Sequence, residues 1–528
     1  MLYLNKNLKN IKTYSYIPVV LFFVFISLSY LYTGSFLVSP KTIRFATLAL
    51  LIYFLLTKKG NNLLKFVSIF VFYLSFINPV PSSDLIPSRF LPLWLDSSFD
   101  FKFEMLLEEK TFVQEKELSD LEGQMTSLPH AKGTGFQVLP YYLVPGNNEI
   151  LPTYPWTPGV FNYIVFEVLS FIKPLVEPQK FENATSVISI LPQIYRLEIF
   201  SAALLATITS YFLYLILCLK PFSNSSSVAF VFVFIYSFCT SHFSNSSQAL
   251  WQHTVIELLL SIILYLLLSD DKKQNIRFLL LGFVSALLIY SRPSSVFLLT
   301  FPLLYVFREF KSYKISLIFA TVSFGLSIFV FGWINYTYYH HIMGGYPLHK
   351  ISYSLIGYKN LFASPFLFGL FGLTFSPGFG YYLFSPFLLL PLIKLYEIPN
   401  RYLAATLFLP VLFLLLFYSK YIFWEGGDSF GARFLTDINI FSILIFSLTP
   451  TKVWKKRGFQ IISILLLLFS FYIQYFGANN KEIVSLWNNC DYENSFEKSI
   501  DLTNLPFHPK QDLKSCERKK TRKKLFQN

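Results

Sequence analysis

The residues best suited to chemistry in this chain follow an apolar run, where an acid and a guanidinium stand five residues apart. Asp84 is the first acid after the run 64–80, and Arg89 follows it in a segment that contains Pro87 and Pro92. Charged side chains at the rim of an apolar segment are costly and few, so in a membrane they are candidates for function. Asp84 can act as a general base or ligate a divalent cation, whereas Arg89 can hold a phosphate.

Further ionic and aromatic side chains collect in other loops between apolar runs. Arginine and lysine hold phosphates, and aromatic rings stack on the faces of sugars. Aromatic rings at a rim also serve as interfacial anchors, and Arg292 and Arg433 also suit lipid headgroups. We expect acceptor contacts from Glu149, His253 and Trp424, and phosphate contacts from Arg89, Arg196, Arg292, Lys420 and Arg433.

His253 and Glu257 form a separate candidate pair. They are four residues apart, so on a helix they share one face. Glu257 lies one or two turns into an apolar run, and a charge near the centre of a bilayer costs ~2.5–3.5 kcal/mol. The spacing therefore predicts either a structural pairing of these two side chains or a catalytic role for Glu257.

The composition indicates that helices spanning a membrane position these residues. Of the 528 residues, 54% are hydrophobic and only 14% are charged, too few to cover a soluble protein of this length. Lys and Arg exceed Asp and Glu by 44 − 30 = 14. The preference of basic residues for cytoplasmic loops explains that excess without a nucleic-acid partner. The four cysteines lack metal-type spacing, so no cofactor follows from the sequence, although a divalent cation at Asp84 stays open.

The order of apolar runs predicts an all-α polytopic membrane protein with about 13 transmembrane helices. Each run is near the length that crosses a hydrocarbon core of ~30 Å. The stretches 159–175 and 361–377 are interpreted as interfacial or re-entrant segments. The predicted spans are 17–38, 43–57, 64–80, 196–219, 226–242, 250–268, 276–290, 294–307, 314–337, 381–397, 401–418, 434–449 and 458–476.

The runs 276–290 and 294–307 are predicted to be two short helices rather than one. A single helix would be roughly 48 Å long at ~1.5 Å per residue, far more than a bilayer needs. Ser291-Arg292-Pro293 divides them, and proline ends or kinks a helix. Basic residues flank both outer ends, so two short spans place Arg292 at the opposite rim.

The basic loops orient the chain with its N-terminus in the cytoplasm. The membrane domain is predicted to cover 1–476, with a large external loop at 81–195 and a small external tail at 477–528. The tail has few apolar runs and is expected to be an appendage or partly disordered. Cys490 and Cys516 would then meet an oxidising compartment and could pair.

Several short motifs in this order resemble those of multi-span glycosyltransferases of the GT-C fold, including lipid-linked aminoarabinose transferases and protein O-mannosyltransferases. The resemblance covers most of residues 60–450. It depends on Asp84, Tyr154-Pro155 with Pro158-Gly159, Arg196, and Ser291-Arg292-Pro293. Three further segments resemble an uncharacterised bacterial branch: Ser247 to His253, Ser376-Pro377-Gly378 with Phe384-Ser385-Pro386, and Trp424 to Arg433.

The resemblance implies transfer of a sugar from a polyprenyl-phosphate donor to a glycan, lipid or protein acceptor outside the bacterial cytoplasmic (inner) membrane. It also implies that Asp84 is the base or a metal ligand, although many members carry two adjacent acids where this chain has Leu85 after Asp84. The alternatives are a transporter or flippase of lipid-linked sugar and a non-catalytic envelope-assembly protein. Transporters place polar residues near the midplane, whereas this chain concentrates them at one rim.

Overall fold

The computed structural model is mostly α-helical, with a single two-stranded sheet among the residues it describes. Six helices are long and apolar enough to cross a membrane: Pro40–Thr57, Ile190–Cys218, Gln274–Ser291, Lys314–Tyr339, Arg401–Ser419 and Arg457–Asn479. The chain is therefore an all-α membrane protein. The described residues are 17–36, 38–57, 61–99, 101–103, 105–108, 142–147, 149–171, 186–269, 274–308, 310–348, 360–393, 397–427, 429–488, 500 and 505–507. The predicted Cys490–Cys516 pairing lies outside them.

The first half of the chain contains nine helices among the described residues, and the sheet pairs two short strands. Strands β1 (Leu143–Pro145) and β2 (Ile150–Pro152) are antiparallel, with Val144 opposite Leu151. The helices are α1 (Ile17–Thr33), α2 (Pro40–Thr57), α3 (Asn62–Leu74), α4 (Ile86–Leu95), α5 (Met105–Glu108), α6 (Thr157–Ser170), α7 (Ser186–Cys218), α8 (Ser226–Cys239) and α9 (Gln252–Leu268).

The second half is more interrupted, because 3₁₀ turns lie at Pro293–Leu299, Pro386–Leu388 and Arg433–Ile438. The described helices are α10 (Gln274–Ser291), α11 (Thr300–Arg308), α12 (Phe310–Tyr339), α13 (Phe366–Phe375), α14 (Tyr381–Phe384), α15 (Leu389–Ile393), α16 (Arg401–Ser419), α17 (Asn439–Ser447), α18 (Thr451–Trp454), α19 (Arg457–Asn479) and α20 (Lys481–Asn488).

Helices α10 and α12 run parallel to each other. Near their starts Ser316 bonds Asn275, and near the end of α10 Tyr290 bonds the carbonyl of Ile328 in the middle of α12. The chain between them, which contains the turn at Pro293 and α11, must therefore run back in the opposite direction. This geometry confirms the prediction of two helices separated at Ser291-Arg292-Pro293.

Helix α12 has the position expected of a lipid-facing span. Only 11% of the residues in its most apolar stretch are buried. Its exposed side chains include Ile318, Val322, Phe329 and Trp333. Its contact with α10 is close at Gly282, where a Cβ would lie 2.1 Å from the carbonyl oxygen of Ala320. Glycine is needed there because any side chain would separate the two helices.

Several predicted spans differ from the structure in their continuity. Helix α3 ends at Leu74, so the last residues of the run 64–80, from 75 onward, belong to an irregular connection, residues 75–82, that leads to Asp84. The run 381–397 is divided at Pro386, because proline lacks the amide hydrogen that a helix interior requires. The run 434–449 begins as a 3₁₀ turn and becomes α-helical only from Asn439.

The predicted C-terminal tail also begins differently from expectation. Its first part forms α20, and the side chains of Val484 and Trp487 are buried against the membrane domain. Trp487 contacts Phe379 with ring centroids 5.1 Å apart. The tail therefore starts as a packed element and not as a separate appendage.

Candidate functional site

A cavity of about 550 Å³ opens among the helix ends that carry the ionic side chains. Its size falls in the range typical of small-molecule sites. Asp84 reaches it from the connection after α3, His253 from the first turn of α9, Arg292 from the end of α10, and Arg433 from the loop after α16. The structure thus brings four residues that the sequence singles out to the lining of one cavity.

Asp84 and Arg433 form an ion pair in the wall of this cavity. Arg433 Nη2 lies 2.8 Å from Asp84 Oδ2, and the Tyr154 hydroxyl donates to Asp84 Oδ1 at 3.1 Å. The side chain of Asp84 is 19% exposed and that of Arg433 is 8% exposed. The acid is thus oriented by two partners and still accessible from the cavity.

The glycines of the loop that carries Arg433 allow its close approach. Gly426 has a φ of +82°, a left-handed conformation that few other residues adopt. A Cβ at Gly426 would lie 3.4 Å from the Cβ of Arg433. The Arg433 guanidinium in turn lies 4.4 Å from the ring centroid of Trp251, within cation–π distance.

A second ionic group lies in the same wall and consists of Arg292, Asp437 and His253. Arg292 Nη1 donates to Asp437 Oδ2 at 3.0 Å, and His253 Nδ1 lies 2.8 Å from Asp437 Oδ1. Arg292 Nη1 also lies 2.9 Å from His253 Nδ1, so the three side chains form one contact group. All three side chains are buried, and Arg292 and His253 line the cavity.

An aromatic ring separates the two arginines. The Phe434 centroid lies 5.0 Å from the Arg292 guanidinium and 5.5 Å from that of Arg433. Tyr418 stacks on Phe434 at 4.7 Å, and its hydroxyl bonds Ser294. The cavity therefore presents two cations held apart by apolar rings, an arrangement that suits an anion with an apolar portion.

The remaining wall adds neutral polar groups. Tyr346 donates to Gln252 Oε1 at 3.0 Å, and burial raises the pKa of the Tyr346 hydroxyl, so it stays protonated at neutral pH. Trp251 Nε1 and Arg433 Nε are buried with no hydrogen-bond partner among the described residues. Buried donors normally find an acceptor, so these two atoms are exceptions in the residues that form the cavity wall.

Arg89 is placed differently from the prediction that it binds phosphate. It is buried away from the cavity, and its Nε lies 2.5 Å from Glu198 Oε2. The same guanidinium donates to the carbonyls of Val80 and Ser82. Arg89 therefore supports the connection that carries Asp84, because its charge is already neutralised by a buried acid.

Four other predicted contacts, all on described residues, also lie outside the cavity lining. Glu149 accepts a hydrogen bond from Trp94, and Arg196 donates to the carbonyl of Pro192. The Lys420 carbonyl accepts from the amide of Ser364. Trp424 is buried and packs against Phe368 and Phe379, so its ring is a packing residue and does not face the space.

The structural pairing of His253 with Glu257, one of the two predicted alternatives, is wrong. Glu257 instead binds His242 at 2.8 Å and the hydroxyl of Tyr236 at 3.0 Å, in a fully buried cluster. His253 and Glu257 share a helix face, but the hydrogen-bond partner of His253 is Asp437 from another segment. Sequence spacing alone does not decide between partners on different helices.

Asp437 is the site residue that sequence reasoning missed. It lies inside the apolar run 434–449, which the sequence predicts to be a span. The available signal was a carboxylate in an apolar segment, which is rare unless it is paired or functional. The same signal marks Glu198, the acid that pairs with Arg89.

The donor set at Asp84 does not favour a metal ion. Within the part of the chain that the structure describes, no group of three or more His, Cys, Asp or Glu side chains is arranged to hold one. The Asp84 carboxylate is also engaged by Arg433 and Tyr154. We therefore assign no step to a divalent cation.

Comparison of the chain with protein-family models, with curated proteins and with solved structures finds no match. The functional argument therefore depends on the chemistry of the cavity itself.

Proposed function

We propose that the protein is a membrane glycosyltransferase that moves a sugar from a polyprenyl-phosphate donor to an acceptor hydroxyl. The observation that carries the proposal is the meeting of two partly exposed acids, Asp84 and Glu425, with two buried arginines, Arg292 and Arg433, in one cavity, where Asp84 is the acid paired with Arg433. Arginine binds phosphate oxygens through several donors, and an acid at the edge of such a site can act as a base. The motif resemblance to GT-C enzymes agrees with this assignment.

In the proposed reaction Asp84 takes the proton of the acceptor hydroxyl as its oxygen attacks the anomeric carbon. The bond from that carbon to the phosphate oxygen breaks, and its electron pair leaves with the lipid phosphate. Negative charge on the leaving phosphate grows in the transition state, so Arg292 and Arg433 contribute most there. Asp437 holds Arg292 in place through its hydrogen bond to Nη1.

The apolar side of the cavity supports a lipid-linked donor. Phe362 and Phe417 line it together with Leu361, and their ring centroids lie 4.9 Å apart. Apolar surface next to two cations suits a molecule that carries a phosphate on a hydrocarbon chain. We propose that the cavity faces the extracytoplasmic side of a bacterial inner membrane, with about 13 spans in a GT-C-like arrangement.

The decisive experiment is sugar transfer in reconstituted vesicles. A panel of radiolabelled polyprenyl-phosphate sugars is supplied only on the outer side, with membrane extract as the acceptor source. Transfer that is lost in Asp84→Asn at normal expression supports the enzyme. Undiminished transfer in that variant would remove Asp84 from its role, and no transfer by the wild-type protein with any donor would oppose the proposal.

Transport of a lipid-linked sugar is the second candidate, and one observation favours it. Two broken segments, the 3₁₀ turns at Pro293–Leu299 and Arg433–Ile438, border the cavity, and transporters often build their sites from such discontinuous helices. The same vesicles separate the two functions. A transporter moves the intact labelled donor across the bilayer, whereas a transferase separates the label from the lipid phosphate.

A further inference from the structure

The segment that leads to Asp84 is held by an unusual series of contacts. Residues 75–82 follow α3 without regular structure, so their carbonyl groups need partners from elsewhere. Arg44 from α2 donates to the carbonyl of Ser75, and Arg89 donates to those of Val80 and Ser82. Cationic side chains therefore hold both ends of this segment.

The middle of the same segment is held by the C-terminal helix α20. Lys481 Nζ donates to the carbonyl of Phe76 at 3.3 Å and to that of Asn78 at 2.5 Å. Lys481 is only 5% exposed, although lysine is rarely buried without a partner. The Lys481 side chain therefore forms hydrogen bonds with the backbone of the segment that precedes Asp84.

The other end of α20 holds the loop that carries Arg433. Asn488 Nδ2 donates to the carbonyl of Ser429 at 3.0 Å. One turn earlier, Val484 packs in a small apolar cluster with Phe430, Phe384 and Ile473. These contacts lie three and four residues before Arg433, within the loop whose glycines bring the guanidinium to Asp84.

We propose that α20 is a positioning element for the cavity, because one short helix fastens both segments that present the Asp84–Arg433 pair. Lys481 and Asn488 act as positioning residues at its two ends, since each holds the backbone of a different segment. The proposal does not depend on which reaction the cavity performs. It assigns a role to the part of the chain whose composition suggested a simple tail.

The test measures opening of each segment separately, in the full chain with its four native cysteines replaced by alanine. Ser82→Cys reports on the segment before Asp84, and Ser429→Cys reports on the loop before Arg433. Both serines are buried, at 7% and 4% exposure, so a cysteine there reacts slowly with a water-soluble maleimide. Labelling rates measured in detergent follow local opening of the backbone.

Lys481→Met should increase the labelling rate at position 82 by about tenfold and leave position 429 unchanged, because charge-assisted hydrogen bonds to that segment are lost. Asn488→Ala should increase the rate at position 429 by severalfold and leave position 82 unchanged. Lys481→Arg should restore slow labelling at position 82. The matched control is Glu482→Gln, whose side chain is exposed on the same helix and should change neither rate.

Two results would overturn the proposal. If each variant accelerates labelling at both positions equally, α20 stabilises the fold as a whole and does not hold the two segments individually. If Lys481→Met leaves position 82 as slow as in the parent protein, Lys481 does not hold the segment before Asp84.

Discussion

Two arginine–carboxylate pairs involve residues that are close in the sequence, but they differ in exposure and in whether they line the cavity. Arg433 with Asp84 lines the cavity, and its acid is 19% exposed. Arg89 with Glu198 is sealed at 5% and 1% exposure, although Arg89 is only five residues from Asp84 along the chain. The comparison teaches that lining the cavity, and not the presence of a charge pair, separates a site from a support.

The largest expected effect tests the accessible pair. Asp84→Asn keeps the size of the side chain and its contact with Tyr154 but removes the base, so transfer should fall by about 10²–10⁴-fold. The measurement is the initial rate of label transfer in vesicles at matched protein levels. Since Arg433 and Arg292 remain, binding of a polyprenyl phosphate should persist; its loss would mean that Asp84 orders the site and is not the base.

Breaking the buried pair of Arg89 and Glu198 should lower the stability of the protein. Arg89→Met leaves Glu198 buried without its cation, so the free energy of unfolding should fall by about 3–5 kcal/mol. Denaturation of the purified protein in detergent measures it. The double variant Arg89→Met/Glu198→Gln should recover much of that loss, because no buried charge is left and the glutamine oxygen still accepts from the amide of Leu250.

Arg89 would instead belong to the ligand site if its methionine variant kept full stability and bound polyprenyl phosphate more weakly. That outcome would break the distinction between the two pairs.

A third prediction concerns Asp437. This residue does not line the cavity itself, but it binds Arg292 and His253, which do. Asp437→Asn keeps a hydrogen-bond acceptor and removes the charge that orients Arg292, so kcat/KM for the donor should fall by up to about 10²-fold. Steady-state kinetics with varied donor measures the change. Equal damage from Glu257→Gln, which lies in the sealed cluster with His242, would show that the loss is general and not specific to Arg292.

The smallest effect is a pH dependence from Lys481, which lies beyond the last span. Burial lowers the pKa of Lys481 to about 7. The charges of Arg44 and Arg89 lower this pKa further, whereas the charge of Glu198 raises it. Between pH 7 and the ordinary lysine pKa, the unfolded chain binds the extra proton, so stability should rise with pH across this window. The unfolding midpoint of the wild type minus that of Lys481→Met should increase from pH 7 to pH 10; a flat difference would contradict the burial of this lysine.

Much of the site could be predicted because the relevant residues break an apolar pattern. Asp84, Arg292 and Arg433 each follow or precede an apolar run and His253 lies near the start of one, and ionisable groups at such places are rare enough to notice. Arg89 has the same signature and yet serves as a support. Its partner Glu198 lies 109 positions away, and no periodicity in the sequence connects them.

The sequence by itself determined that the chain is helical and spans a membrane, because composition and run length follow from the chemistry of single residues and their neighbours. It also determined the break at Arg292, since proline acts locally. The tertiary structure alone decided which charges meet: Asp437 with Arg292 and His253, Phe434 between two guanidinium groups, and α20 against both segments of the ion pair. These contacts join distant positions, and packing between helices has no local signal in the order of residues.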